Sequence, residues 1–218
     1  VTILLSGIVG STAYGLATPE SDIDRAGIFA VPTKDLLSLH PPGLSRKFGD
    51  GDGMLHEAGK YLSLALKSNP SVLEVLWLPD DLYEIRLPLG DRLIAIRDCF
   101  PSRTMVRNAY LGYATAQFRK MEEKGAGNPR TAKHARHLAR LLIQGYQLYA
   151  EGTLTVRVDD PDWYRQFGED AAAGDLIRAR VLIASTENSM DMTTSPLPEK
   201  PDEEKAEAWL QEVRREFY

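Results

Sequence analysis

The stretch that most constrains this chain is Gly10-Ser11 followed, twelve positions on, by Asp22-Ile23-Asp24. Thr2-Ile-Leu-Leu reads as a short buried strand that runs into the glycine and serine, and Ile23 to Val31 reads as a second strand closed by Pro32. On a strand, carboxylates at i and i+2 project from one face with their roots about 6–7 Å apart. Ile23 between them would point the other way, into a core. Like charges at that spacing repel, and a divalent cation is the natural compensation. Oxygen ligands of this kind favour Mg2+, with Mn2+ as the alternative. A glycine at the end of the first strand lets backbone N–H groups approach a phosphate, and a serine hydroxyl adds a donor. An isolated Asp-x-Asp is equally an Asx-turn followed by a solvated strand residue. It is the coupling to Gly-Ser, with a strand on each side, that makes the pattern specific.

Downstream of the motif, residues 41–53 are rich in proline and glycine and read as a loop, with room for a short strand near Phe48. Leu55, Leu62, Ala65 and Leu66 fit a helical stripe, which Asn69-Pro70 breaks. Ser71 is then placed to cap a second helix ending before Pro79. After Phe100-Pro101 the pattern becomes helical. One long helix runs from Ser102 to about Lys124, and Gly125-Ala-Gly-Asn-Pro129 interrupts it. Another helix runs from about Arg130 to Ala150. At 100° per residue its Leu138, Leu142, Gly145 and Tyr149 share one face, while Lys133, His137, Arg140 and Gln144 share the opposite one. Gly174 to Ser185 reads as helix, and Asp202 caps a last amphipathic helix through Phe217. These patterns divide the chain into an α/β part over 1–99 and a helical part over 100–218.

Composition narrows the class. With 43% apolar residues in a chain of 218, a real core is affordable and a disordered chain is excluded. The single cysteine, Cys99, excludes a disulfide framework and a multi-cysteine zinc site. No apolar run approaches the roughly 18–20 residues that span a bilayer. The opening stretch has no basic region of the kind a signal peptide carries. A cytoplasmic setting and no membrane partner are therefore expected. The net charge of −5 argues against a general nucleic-acid coat, but it averages unlike parts. Arg103 to Arg140 holds nine Lys/Arg against Glu122 and Glu123, a local +7, whereas Val158 to Tyr218 holds seven basic and fifteen acidic residues.

Gly10-Ser11, Tyr14-Gly15 and Ser21-Asp22-Ile23-Asp24 resemble the signature of the DNA-polymerase-β-like nucleotidyltransferase superfamily. Within it, the chain resembles a family of nucleotidyltransferases associated with RNA repair. The resemblance continues from Lys60 through Asn69-Pro70 to Glu74 and Trp77, and through Lys133-x-x-x-His137-x-x-Arg140-Leu-Leu, touching most of residues 2–150. It implies an α+β fold: an N-terminal catalytic domain with a mixed sheet and flanking helices, and a C-terminal helical domain that completes the cleft for NTP and acceptor. It also implies two metal ions held by three carboxylates, and transfer of a nucleoside monophosphate from an NTP to a hydroxyl.

On that resemblance the catalytic and metal-binding residues are Asp22, Asp24 and a third carboxylate on a strand just before the helix of Lys60. Asp52 is the best match, although Gly49-Asp50-Gly51-Asp52-Gly53 is a poor strand by propensity. Asp50 is the fallback, and an exposed turn is the plain alternative. Nucleotide binding falls to Gly10, Ser11, Lys60, Lys133, His137 and Arg140; a solvated face is the ordinary reading of the last three. Tyr14 reads as a packing residue, Glu74 and Trp77 as cap and core. An RNA or tRNA end is the favoured acceptor. A small molecule or protein side chain is the alternative, as is a non-catalytic nucleotide-binding or toxin–antitoxin component. The sequence carries no signal for the choice of NTP or for an oligomeric state.

Overall fold

A computed structural model describes residues 1–48 and 53–218. The chain divides into two units, Val1–Phe100 with Pro201–Tyr218, and Pro101–Lys200. The first unit is built on five strands: β1 (Thr2–Val9), β2 (Asp24–Ala30), β3 (Ser45–Lys47), β4 (Gly53–Glu57) and β5 (Tyr83–Arg86). Their order is β3-β4-β2-β1-β5. β2 and β4 are parallel and the remaining pairs antiparallel, so the sheet is mixed. Its helices are α1 (Gly10–Tyr14), α2 (Thr33–Leu36), α3 (Ala58–Ala65), α4 (Pro70–Leu73), which tightens into a 3-10 turn over Glu74–Trp77, and α5 (Pro88–Ala95). This is the α+β architecture expected of the N-terminal part.

The central strands are apolar where the sheet is covered. Leu4 and Leu5 of β1 and Ile28, Phe29 and Ala30 of β2 are buried, and Phe29 and Val31 pack with Leu55 beneath Ile3, Leu36 and Phe48. Leu55 therefore belongs to β4, opposite Gly27, and not to a helical stripe. Helix begins only at Ala58, where the Glu57 side chain accepts the Gly59 N–H. The expectation of Ser71 as a cap also fails. Asn69 caps α4 by accepting from Ser71 N–H, and Pro70 fills the first helical position, where its missing N–H costs nothing.

The second unit holds α6 (Arg103–Lys124), α7 (Pro129–Glu151), α8 (Pro161–Ala172) and α9 (Ile177–Met192). Asn128 caps α7 by accepting from Arg130 N–H, and the Thr131 hydroxyl closes the hairpin on the Gly125 carbonyl. Gly145 lets α7 approach α6, since a Cβ there would come 2.6 Å from the Tyr110 ring. α7 packs against α6, α8 and α9 at once, so it is buried on more than one side.

The last helix, α10 (Glu203–Glu216), is capped by Asp202 as expected but belongs to the first unit. A boundary at residue 99 with everything later in one helical part does not describe it. The Trp209 indole donates to the Leu89 carbonyl, and Arg214 donates both terminal nitrogens to the buried Glu57 carboxylate at 2.5 and 3.1 Å. Thr33 N–H meets the Phe217 carbonyl at 2.6 Å. Among the described residues, no helix is long and apolar enough to cross a membrane.

Candidate active site

β1 and β2 end together: Val9 lies opposite Asp24 in antiparallel register. The chain then turns at once into α1 through Gly10, whose φ of 69° is a conformation that side chains disfavour. Space forbids a side chain there as well. A Cβ on Gly10 would overlap Oδ2 of Asp24 and lie 3.0 Å from its Cβ and Cγ. The half-buried Asp24 carboxylate thus rests on the glycine backbone, with Ser11 the next residue along. Two parts of the sequence pattern fourteen positions apart are in contact, and the glycine serves the carboxylate as well as the backbone turn.

Asp22 stands differently. β2 begins at Asp24, so Asp22 precedes the strand and is exposed. Ile23 is 49% exposed, which corrects the expectation that it enters the core. The turn ahead of it is pinned locally: Ser21 N–H donates to the Thr18 carbonyl and Thr18 N–H to the Ser21 hydroxyl, both at 2.9 Å. Arg25, next after Asp24, gives its Nε to both oxygens of Glu84 on β5, at 2.8 and 3.0 Å. Glu84, from the strand on the other side of β1, thus fixes that guanidinium. Neither Arg25 nor Glu84 was singled out from sequence, because their partnership spans strands that are not adjacent.

Tyr14 packs, as expected. It is buried, and its hydroxyl donates to Glu74 Oε2 at 2.8 Å. Lys60 sits half-buried on α3 in a groove of about 360 Å3 lined also by Leu36, Leu44, Glu57 and Arg214. Neither Gly10 nor Asp24 lines that groove. Burial, and after it the Lys60 charge, lowers the pKa of His56, whose Nδ1 meets the Ser45 hydroxyl at 2.9 Å. Asp52 and the fallback Asp50 lie outside the described residues. Asp52 immediately precedes Gly53, the first residue of β4, and Gly53 pairs with Arg25. Among the described residues no three His, Cys, Asp or Glu side chains gather as a metal cluster.

Lys133, His137 and Arg140 lie along α7 in the second unit, but they do not share a solvated face. Lys133 is exposed, while Arg140 is 2% exposed. Its Nη1 donates to Gln144 Oε1 at 2.7 Å, and its Nη2 meets His137 Nδ1 at 3.1 Å. A guanidinium only donates, so Nδ1 accepts and the imidazole proton sits on Nε2. Gln144 passes the network on, its amide donating to the carbonyls of Thr155 and Val156. Burial first, then the adjacent Arg140, lowers the His137 pKa to about 3, so the ring is neutral. Helical periodicity grouped these residues correctly. The packing of α8 and of the segment at Thr155 and Val156, absent from a single-helix argument, turned that face inward. Gln144, four residues after Arg140, was visible as a same-face neighbour, whereas its carbonyl partners were not.

The chain is 33% identical over 130 residues to an uncharacterized 38.9 kDa protein from the nrdC-mobD intergenic region of Enterobacteria phage T4, over 54% of this chain and 38% of that protein. The chain thus spans well under half of that relative's length. The model of the RNA repair pathway DNA polymerase beta family (RlaP) matches residues 1–189, taking in the Gly10–Asp24 contact and all of α6 and α7. The chain belongs to the RNA repair pathway DNA polymerase beta family.

Proposed function

We propose that this chain is a metal-dependent nucleotidyltransferase that moves a nucleoside monophosphate from an NTP to a hydroxyl, with an RNA or tRNA end as the acceptor. The observation that supports the reading best is the seating of Asp24 on Gly10, which joins one carboxylate of the pair to the glycine-serine turn. Family membership supports the nucleotidyl-transfer class. The acceptor rests on the exposed cations of the basic segment, Lys120, Lys124, Arg130 and Lys133, and on the family's link to RNA repair.

The donor set fits a hard cation. Asp22 and Asp24 offer carboxylate oxygens, and no softer ligand belongs to the pattern, which suits Mg2+ or Mn2+. Asp22, Asp24 and Asp52 would hold the metal; what supports Asp52 is its place directly before Gly53, the partner of Arg25. When bound, such a cation supplies charge neutralisation at the attacked α-phosphate and the leaving pyrophosphate. The chain's own groups do the remainder. Backbone N–H groups at Gly10 and Ser11, with the Ser11 hydroxyl, hold the β- and γ-phosphates. Lys60 and Lys133 offer cationic contacts to phosphate, and Arg140 with neutral His137 supports α7 behind Lys133. The carboxylate of Asp52 takes the proton of the acceptor hydroxyl as it attacks in line.

The test is to incubate the protein with each α-labelled NTP and Mg2+, with total tRNA, with small-molecule hydroxyl acceptors and alone. Label on RNA supports the reading. Label on the chain itself or on a small molecule, with none on RNA, assigns another acceptor. No label on any species would sink the nucleotidyltransferase reading and leave a nucleotide-binding role.

A further inference from the structure

The α6–α7 hairpin carries a charge cluster that the active-site pattern leaves largely unused. In sequence, Lys120 and Lys124 lie one helical turn apart on α6, and Arg130 and Lys133 lie about one turn apart on α7. All four are exposed. Their register is fixed by a bond across the hairpin, where His134 Nδ1 meets Gln117 Oε1 at 2.8 Å. Lys120 follows Gln117 by three residues and Arg130 precedes His134 by four. In an antiparallel hairpin, both therefore advance from that bond toward the same closed end. Among the described residues none of the four forms an ion pair; Glu122 is taken by Arg180 at 2.8 Å, and Glu123 is exposed.

The electrostatic consequence is visible at the centre of the cluster. Burial, followed by Lys120, Lys124, Lys133 and Arg130, lowers the His134 pKa, so four cations act together on one ring. Like charges held at this spacing in the free protein repel, and a polyanion relieves that repulsion while releasing its own counterions. The hairpin itself offers charge rather than apolar surface: between Tyr113 and Ile143 no large hydrophobic side chain is exposed, the exposed Ile177 and Val181 lying on neighbouring α9. A nearby exposed ring, Tyr113, lies one turn before Gln117 on α6 and is 40% exposed, as a base-stacking position would be.

We propose that the face formed by Lys120, Lys124, Arg130 and Lys133 binds the phosphate backbone of the RNA acceptor. This rests on the RNA reading of the acceptor and names the surface that meets it. Each cation takes one backbone phosphate without reading sequence, so the contact positions the RNA and leaves selection of its end to the active site.

The test uses the full chain and fluorescein-labelled tRNA, with affinity measured by anisotropy from 50 to 300 mM salt. Lys133 is left intact, because it also belongs to the proposed nucleotide contacts. The variant K120Q/K124Q/R130Q is compared with K34Q/K200Q/R215Q, which removes the same charge from other exposed positions. Binding by the hairpin variant is expected to weaken tenfold or more at low salt. The slope of log affinity against log salt should shrink by about 2, at roughly 0.7 per lost phosphate contact on a single strand. The control variant should lose little by either measure. Equal losses in both variants would make the effect one of net charge and overturn the assignment. Unchanged binding by the hairpin variant, with tRNA still bound by the wild type, would overturn the surface while leaving the RNA reading in place. Failure of the wild type to bind tRNA at all would remove the RNA reading and this surface with it. Circular dichroism of both variants should match the wild type, since all six side chains are exposed.

Discussion

Two groups of polar residues, one in each unit, look alike in the sequence and differ in the structure. Asp24 sits on the Gly10 turn at the start of β2, half-buried, with Asp22 exposed ahead of it. Arg140 sits inside the helical unit, tied to Gln144 and His137. Both groups belong to motifs that suggested contact with nucleotide. Only the first keeps its charged groups within reach of solvent. The second spends its hydrogen-bonding capacity on its own unit, through Gln144 to the segment at Thr155 and Val156. A charged side chain at helical spacing thus says which residues stand together, but not whether they face a ligand or a neighbouring helix.

The difference is open to attack by substitution, and the largest effect on stability is expected at Arg140. Arg140→Ala removes the donors to Gln144 and His137 and leaves buried acceptors without partners. It should destabilise the protein by about 3 kcal/mol, read as a lower midpoint in urea. A variant as stable as the wild type would mean that the network contributes nothing to the fold and that Arg140 is held for a ligand.

Gly10→Ala attacks the other group. The positive φ and the overlap with the Asp24 carboxylate together should cost about 2 kcal/mol. Nucleotidyl transfer should fall much further than the loss of folded protein accounts for, because the carboxylate must shift. Calorimetry and single-turnover transfer on the same preparation separate the two effects. Full activity in this variant would show that the seating of Asp24 is incidental.

A third effect concerns pH. His137 has a folded pKa of about 3 against 6.5 when unperturbed. Below about pH 6.5 the unfolded chain takes up a proton that the native chain does not. The contribution of His137 is therefore fully present above that pH and is lost as pH falls toward 3. His137→Gln should flatten the urea midpoint against pH in that window relative to wild type. Parallel profiles would show that His137 is not held neutral by its surroundings.

Much of this was legible in the sequence for reasons that can be named. The Gly10-Ser11 and Asp24 pattern is local in type, two strand ends and a turn, and its residues meet as strand pairing requires. The ends of α6 and α7 were marked by Gly125, Asn128-Pro129 and Gly152, which act through backbone preferences that need no tertiary context. What stayed hidden depended on distant partners. Leu55 reads as helical beside Leu62, yet pairing with Gly27 makes it strand. β5 and α5 are too short to stand out, whereas α8 carries a visible stripe at Tyr164, Phe167, Gly168 and Ala171 that the sequence reading passed over. The placement of α10 turns on Glu57 and Arg214, which are 157 residues apart and give no local signal. The exposed position of Ile23 follows from where pairing with β1 begins, which the alternation of residues alone does not set.

The measurement that tests the central claim most directly is transfer from an α-labelled NTP in Mg2+ by the wild type, Asp24→Asn and Asp22→Asn, each confirmed as folded. Each substitution keeps the shape and removes the negative charge. Wild-type transfer should be abolished by chelation and restored by Mg2+, and each variant should lose about a thousandfold or more, in line with losses of roughly 4 kcal/mol of transition-state stabilisation. Wild-type rates in both variants would contradict the assignment of these carboxylates to the reaction.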